Sequence, residues 1–264
     1  MDLSADQIKT NWDKLVSIIE DTFEGERKEK LLEMYKYFEE RMMFAPGSGK
    51  IHYHNAFPGG YVDHILNVIQ TCLRIHKVYA DMGMKMNYAE KEVIFCAMHH
   101  DLGKIGDLTN DYYIPNESEW HRKNQGKIYN HNDKLNYMNV TDRTFWLLQH
   151  FGITITEQEF LGIKLADGLY EEGNERYYKT YIEGNELKSN LPYLIHNGDL
   201  LATRMEHEKY MYSKESSIDY KKLLFPDEIT DEEVEVKKDS AALCKFFASF
   251  RLFKLLILKI KSEH

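Results

Sequence analysis

An all-α fold is expected from three features of the 264-residue sequence. Apolar residues recur at helical spacing in one segment after another. Capping residues and glycines punctuate those segments. Strands do not alternate with helices and there is no glycine-rich phosphate loop, so neither a Rossmann nor a P-loop fold is expected.

The elements follow in order. Ser4 and Gln7 have capping-box spacing before an amphipathic run to about Thr22, which Gly25 breaks. "RKEKLLEMYKYFEERMM" places Leu31, Leu32, Tyr35, Phe38 and Met42 at helical spacing. "FAPGSGKIHYHNAFPGG" is a loop with two histidines. "GYVDHILNVIQTCLRIHKVYADMG" predicts a helix ending at Gly83, and "NYAEKEVIFCAMHHDLGK" another with Gly103 as its stop. Residues 107–139 are polar and irregular, with a short helix expected after Asn130. "VTDRTFWLLQHFG" is a helix with Thr141 or Asp142 near its cap, and "TEQEFLGIKLADGLYEEG" is the next. "YYKTYIEGNELKSN" reads as extended or loop. "LPYLIHNGDLLATRMEHEKYMY" is a long helix with Pro192 in its first turn. The division expected is N-terminal helices over residues 1–43, a core over 44–212, and a charged linker with a last apolar helix over 213–264.

The net charge of -9 speaks against stable binding of duplex nucleic acid. It leaves room for a small nucleotide beside a bound cation. Cys72, Cys96 and Cys244 are odd in number and form no CxxC pair, as expected of reduced thiols. No signal peptide and no membrane span are evident, so a cytoplasmic location is expected, in the host cytoplasm if a phage encodes the chain. The C-terminal apolar helix, with Lys245, Arg251, Lys254 and Lys259 among its apolar residues, reads better as packing on the bundle or on a second copy than as lying on a membrane surface.

Chemistry concentrates in a few polar residues on or between helices. His64, the His100-Asp101 pair, His131, His150 and Asp199 fall on separate segments, and a bundle can bring such residues together. Imidazole and carboxylate suit transition metals, and no thiolate belongs to the set. Each has a plainer reading: His64 as a hydrogen-bonded core residue, His131 as surface, Asp199 as a solvated charge. The His100-Asp101 pair resists it, because a carboxylate buried at the end of an apolar helix is costly unless paired. His99 points elsewhere, as adjacent helical residues do.

"GGYVDHILNV", "AMHHDLGK" and "HNGDLLATRME" together resemble the HD-domain superfamily of metal-dependent phosphohydrolases. The lead-in "APGSGKIHYHNAFPGGYVDH" is similar to that of phage and bacterial HD hydrolases and of the HD domain of 3'-to-5' exoribonucleases. The resemblance covers roughly residues 44–212. It implies a helical bundle with His64, His100, Asp101 and Asp199 as metal ligands, and His131 and His150 as ligands of a second position where two ions bind. The ion implied is a divalent transition metal (Mn, Fe, Zn, Ni or Co), with Mg an option. Asp101 would hold the metal and Lys104 would neutralise a phosphate oxygen, a role that competes with simple charge complementarity at a helix end. The substrate implied is a nucleotide or short oligonucleotide. His54 could line the pocket mouth, Arg122 and Lys127 could clamp phosphate, and Tyr170 could stack on a base with Lys179 nearby. Solvated loops and loop packing are the plainer readings of these five. An HD-fold di-iron oxygenase and a non-catalytic nucleotide-binding protein are the alternatives.

Overall fold

Ser4 caps the first helix, α1 (Ala5–Thr22), as its spacing predicts. Its hydroxyl accepts from the Gln7 backbone N–H, and the Gln7 side chain accepts from the Ser4 N–H. Ile8, Trp12, Leu15 and Ile19 form the buried stripe of α1. The computed structural model describes residues 3–180 and 182–212. The charged linker, the expected helix from about Ala241 and Cys244 lie outside the described residues.

The second predicted helix is two, α2 (Gly25–Tyr37) and α3 (Glu39–Phe44), broken at the buried Phe38. Then come α4 (Gly60–Asp81), α5 (Glu90–His99), α6 (Glu119–Gln125), α7 (Val140–His150), α8 (Glu157–Lys164), α9 (Glu175–Tyr178) and α10 (Leu191–Tyr212). The fold is all-α. A two-stranded hairpin, β1 (Tyr113–Pro115) and β2 (Tyr129–His131), pairs antiparallel with Tyr113 opposite His131.

Four local expectations need correction. The short helix in the polar stretch is α6, capped by Ser118, and it precedes Asn130. The cap of α7 is Asn139, which accepts from the Asp142 N–H. The helix beginning near Thr156 ends at Lys164 and gives way to short 3-10 turns. A single turn of helix, α9, stands where loop or extended chain was expected.

Helix α4 is the centre of the bundle, with α1, α5 and α10 packed on it and α8 packed on α5 and α10. Val68, Phe95, Met98, Leu194 and Ile195 are fully enclosed, each worth about 1.5–3 kcal/mol if of Val or Leu size or larger. Residues from α1, α2 and α3 belong to this same core. Arg27 of α2 makes two 2.8 Å bonds to the buried Glu159 of α8, its guanidinium 4.1 Å from the Phe95 ring centre. Helices α4 and α10 approach closely at Gly198: a Cβ there would sit 2.2 Å from Cys72 Sγ. Thr71 Oγ1 donates to the Gly198 carbonyl at 2.9 Å beside this contact. Among the described residues no helix is long and apolar enough to cross a membrane.

Candidate metal centre

Three segments converge beside the Gly198 contact. Helix α4 supplies His64, α10 supplies Asp199, and the end of α5 supplies His100 and Asp101. Helix α5 is buried from Val93 to His99 because it threads the core. It ends before Gly103, and the chain tightens into a 3-10 turn over Leu102–Ile105. Gly103 is needed for a different reason from the predicted stop. A Cβ there would lie 2.0 Å from the Val140 carbonyl oxygen, and the Gly103 N–H donates to Thr144 Oγ1 at 2.9 Å. The tight turn sets Lys104 on the side of Asp101: Lys104 Nζ is 2.6 Å from Asp101 Oδ2 and donates to the Gly47 carbonyl at 3.2 Å.

The protons on the two imidazoles are fixed from behind. His64 Nδ1 donates to Glu206, at 3.0 Å to Oε2, and His100 Nδ1 donates to the Ala97 carbonyl at 2.9 Å. In the neutral form of each ring, the form that binds a metal, Nε2 therefore carries the lone pair. His64 Nε2 lies 3.3 Å from Asp199 Oδ1 and 3.6 Å from Asp101 Oδ2. His100 Nε2 lies 3.5 Å from Asp101 Oδ2 and 3.6 Å from Asp199 Oδ1. These Nε2 atoms are buried and have no hydrogen-bond partner. Two nitrogen lone pairs and two carboxylates facing one point require a positive charge between them. The residues fit a cation, and the His64, His100 and Asp101 donor atoms are close enough together to hold a metal ion.

The electrostatics agree with this reading. Burial pulls the His64 imidazole down, but Glu206 and Asp199 outweigh it and raise its pKa to about 10. Asp199 is held well below its usual range, burial being outweighed by His100 and His64. Burial likewise raises Asp101, and Lys104 with the two imidazoles outweighs it and lowers it. Without a metal the carboxylates draw a proton onto the imidazoles; a bound cation supplies that charge instead.

Glu206 escapes a reading of the sequence, where "RMEHEKY" looks like a solvated charge run. It lies two turns beyond Asp199 on α10, and that same-face spacing is the available signal. It is buried, and it also accepts from Asn67 Nδ2 at 2.8 Å. His54 is held by its loop, where Ser48 Oγ donates to the His54 carbonyl at 2.5 Å. Its ring packs 4.5 Å from that of His64, and neither of its nitrogens has a partner. Burial and the His64 charge push its pKa down to about 3, so the ring is neutral.

The cluster opens into a cavity of about 650 Å³. Asp101, Lys104, Asp199, His54 and Tyr170 line it. Asp167, His196, Thr203 and Arg204 line it too, and sequence reasoning missed them. His196 Nδ1 donates to the Ala166 carbonyl at 2.8 Å, which leaves Nε2 as an acceptor. Burial raises the Asp167 carboxyl, and Asp101 adds to the rise.

The other expected residues are not brought to this centre. His150 is exposed on the last residue of α7, its ring beside Trp146 and Phe151. His131 ends β2 and rests against Tyr112 and Tyr113, held there by strand pairing. Arg122 is exposed on α6. Lys179 is exposed just after α9, 2.6 Å from Glu175 Oε1. Lys127 lines a neighbouring cavity. Two groups of donor atoms among the described residues could hold a metal ion, His64 with His100 and Asp101, and His54 with His64 and Glu206, and neither includes His131 or His150.

Compared with protein families, curated proteins and solved structures, the chain gives no match.

Proposed function

We propose that this chain is a metal-dependent phosphohydrolase that cleaves a phosphoester or phosphoanhydride bond of a nucleotide or short oligonucleotide. The observation that carries the reading is the convergence of His64, His100, Asp101 and Asp199, with two buried Nε2 atoms that lack hydrogen-bond partners, where Asp101 and Asp199 reach the wall of a cavity beside Lys104. The resemblance of the three sequence motifs to the HD-domain superfamily supports it. The donor set suits a divalent transition metal (Mn, Fe, Zn, Ni or Co) over magnesium. The placement of His131 and His150 outside the cluster favours one ion over two, which weighs against the di-iron oxygenase alternative. The complete ligand set weighs against a non-catalytic protein.

A metal held there would make a water more acidic and draw charge from a phosphoryl oxygen. The chain's own residues do the rest. Glu206 keeps the His64 proton on Nδ1 and the ring in its plane. Lys104 keeps Asp101 ionised and offers its one remaining N–H to a phosphoryl oxygen. His54, neutral at the cavity wall, donates a hydrogen bond to the substrate. Asp167, whose carboxyl is raised by burial and by Asp101, lines the same cavity and is placed to face the leaving oxygen. Tyr170, largely exposed, offers a face on which a base stacks.

The test is phosphate or nitrophenol release from a panel of nucleotides and bis(p-nitrophenyl) phosphate, using protein loaded in turn with each metal. Activity is expected with at least one transition metal and is expected to fall to background in Asp101→Asn. Turnover unchanged by Asp101→Asn would sink the proposal.

A further inference from the structure

We propose that Lys50 and Lys127 form a second phosphate-binding subsite, so that the substrate is a single-stranded oligonucleotide with one phosphate at the metal centre and another held by this lysine pair. The inference rests on the hydrolase reading above and narrows its substrate.

Lys50 and Lys127 are directly opposite one another in an antiparallel bridge. The bridge is fixed by Ile51 N–H donating to the Gly126 carbonyl and Ile128 N–H donating to the Gly49 carbonyl, both at 3.0 Å. Directly opposite residues of such a pair project to the same side, and like charges there repel. Both lysines line one cavity of about 630 Å³. Asp133 lines it as well, but among the described residues neither ammonium has a carboxylate partner. The Lys50 ammonium rests 5.6 Å from the centre of the Tyr53 ring. Burial and the Lys127 charge lower the nearby His131, which keeps that ring neutral and adds no further cation. In a chain of net charge -9, two unneutralised lysines set face to face form a local anion site.

The position of the pair names the anion. Tyr53 and Tyr113 line both this cavity and the metal cavity, so the two share a wall. A ligand leaving the metal passes two tyrosine rings before reaching the lysines. Aromatic rings interleaved with cations match the bases and phosphates of a single strand. A mononucleotide would leave the lysine pair unused.

The experiment uses the full chain, Lys50→Ala/Lys127→Ala, and fluorescein-labelled single-stranded oligothymidylate and oligouridylate as probes. Anisotropy titrations are run across a salt series in the presence of calcium, and bis(p-nitrophenyl) phosphate turnover is measured with the activating metal. The wild type is expected to bind at least one strand, and the double variant about tenfold more weakly. The slope of log affinity against log salt is expected to become shallower by about 0.7, for the one phosphate that the pair holds. Turnover of the one-phosphate substrate is expected to stay unchanged. The melting temperature is expected to hold or rise, since repulsion is relieved; a merely structural pair would lower it. Strand affinity and salt slope equal in wild type and double variant, or no strand binding by the wild type, overturn the subsite even if hydrolysis is found. Strand binding that depends on the lysines without hydrolysis under any metal keeps the subsite and overturns the hydrolase reading.

Discussion

Glu206→Gln removes a charge from behind His64 and keeps the side chain's size. In the native site the carboxylate accepts from His64 Nδ1 at 3.0 Å and from Asn67 Nδ2 at 2.8 Å. A glutamine has one acceptor oxygen and an NH2 group, so one of the two donors comes to face another donor. The charge-assisted bond to His64 becomes at best a neutral one, a loss of about 1 kcal/mol, and the orphaned buried donor costs about 1–3 kcal/mol more. Part of this burden falls equally on metal-free and metal-loaded protein and appears only as reduced stability. The part specific to the loaded state is the loss of a fixed tautomer and a more basic ligand. Such changes behind a ligand weaken metal binding by roughly 10–100-fold, or about 1.4–2.7 kcal/mol. Calorimetric titration of manganese into chelator-stripped protein at neutral pH measures this, with Glu206→Ala in parallel as the more severe variant. Dissociation constants within about twofold of wild type for both variants would show that Glu206 does not tune the centre, and the argument from His64 Nδ1 would fall with it.

Further outcomes follow from the same geometry. Saturating metal is expected to raise the melting temperature of the wild type, by linkage worth about 2.7 kcal/mol at a hundredfold excess over Kd, and to leave Asp199→Asn unmoved; a wild type indifferent to every transition metal would refute the metal centre. Gly103→Ala drives a Cβ to 2.0 Å from the Val140 oxygen, so scanning calorimetry should show a loss of about 2 kcal/mol and a fall of roughly 4–8 °C in Tm. His99 is buried against Tyr35 and Phe95, and burial pushes its pKa down to about 3. The unfolded chain, with its histidine near 6.5, therefore takes up this proton first as the pH falls. The stability tied to neutral His99 is complete above about pH 6.5 and is lost as the pH falls toward 3. His99→Gln in chelator-treated protein should flatten the stability profile there by up to about 1.4 kcal/mol per pH unit; an unchanged profile would exclude His99 as the source.

The helices were legible because burial imposes a 3.6-residue period, and α4, α5 and α10 show it clearly. The four residues at the centre were legible because each interrupts an apolar face with a group that needs a partner. His131 and His150 were not separable from them by order alone. His150 follows the last buried turn of α7 and is carried past the core, while His131 is placed by a hairpin whose pairing no local period announces. Lys50 and Lys127 are far apart in sequence, and only the bridge between two irregular segments makes them neighbours. Glu206 was hidden by its acidic and basic neighbours, since a charge run does not disclose which member turns inward.

The contact between Gly198 and Cys72 has a bearing on ion choice. It lies one residue before Asp199 and two turns beyond His64 on α4, so it fixes the gap between the two helices like the jaws of a calliper. Those jaws cannot widen for a larger ion without giving up the Thr71 bond to Gly198, nor narrow without collision at the sulfur. The gauge is thus cut in backbone, and the ring of preferred ions should tighten or slacken with the size of residue 72. An ion would come and go by way of the cavity, where the loop that carries Ser48 and His54 and the turn that carries Asp167 and Tyr170 stand in place of packed helix.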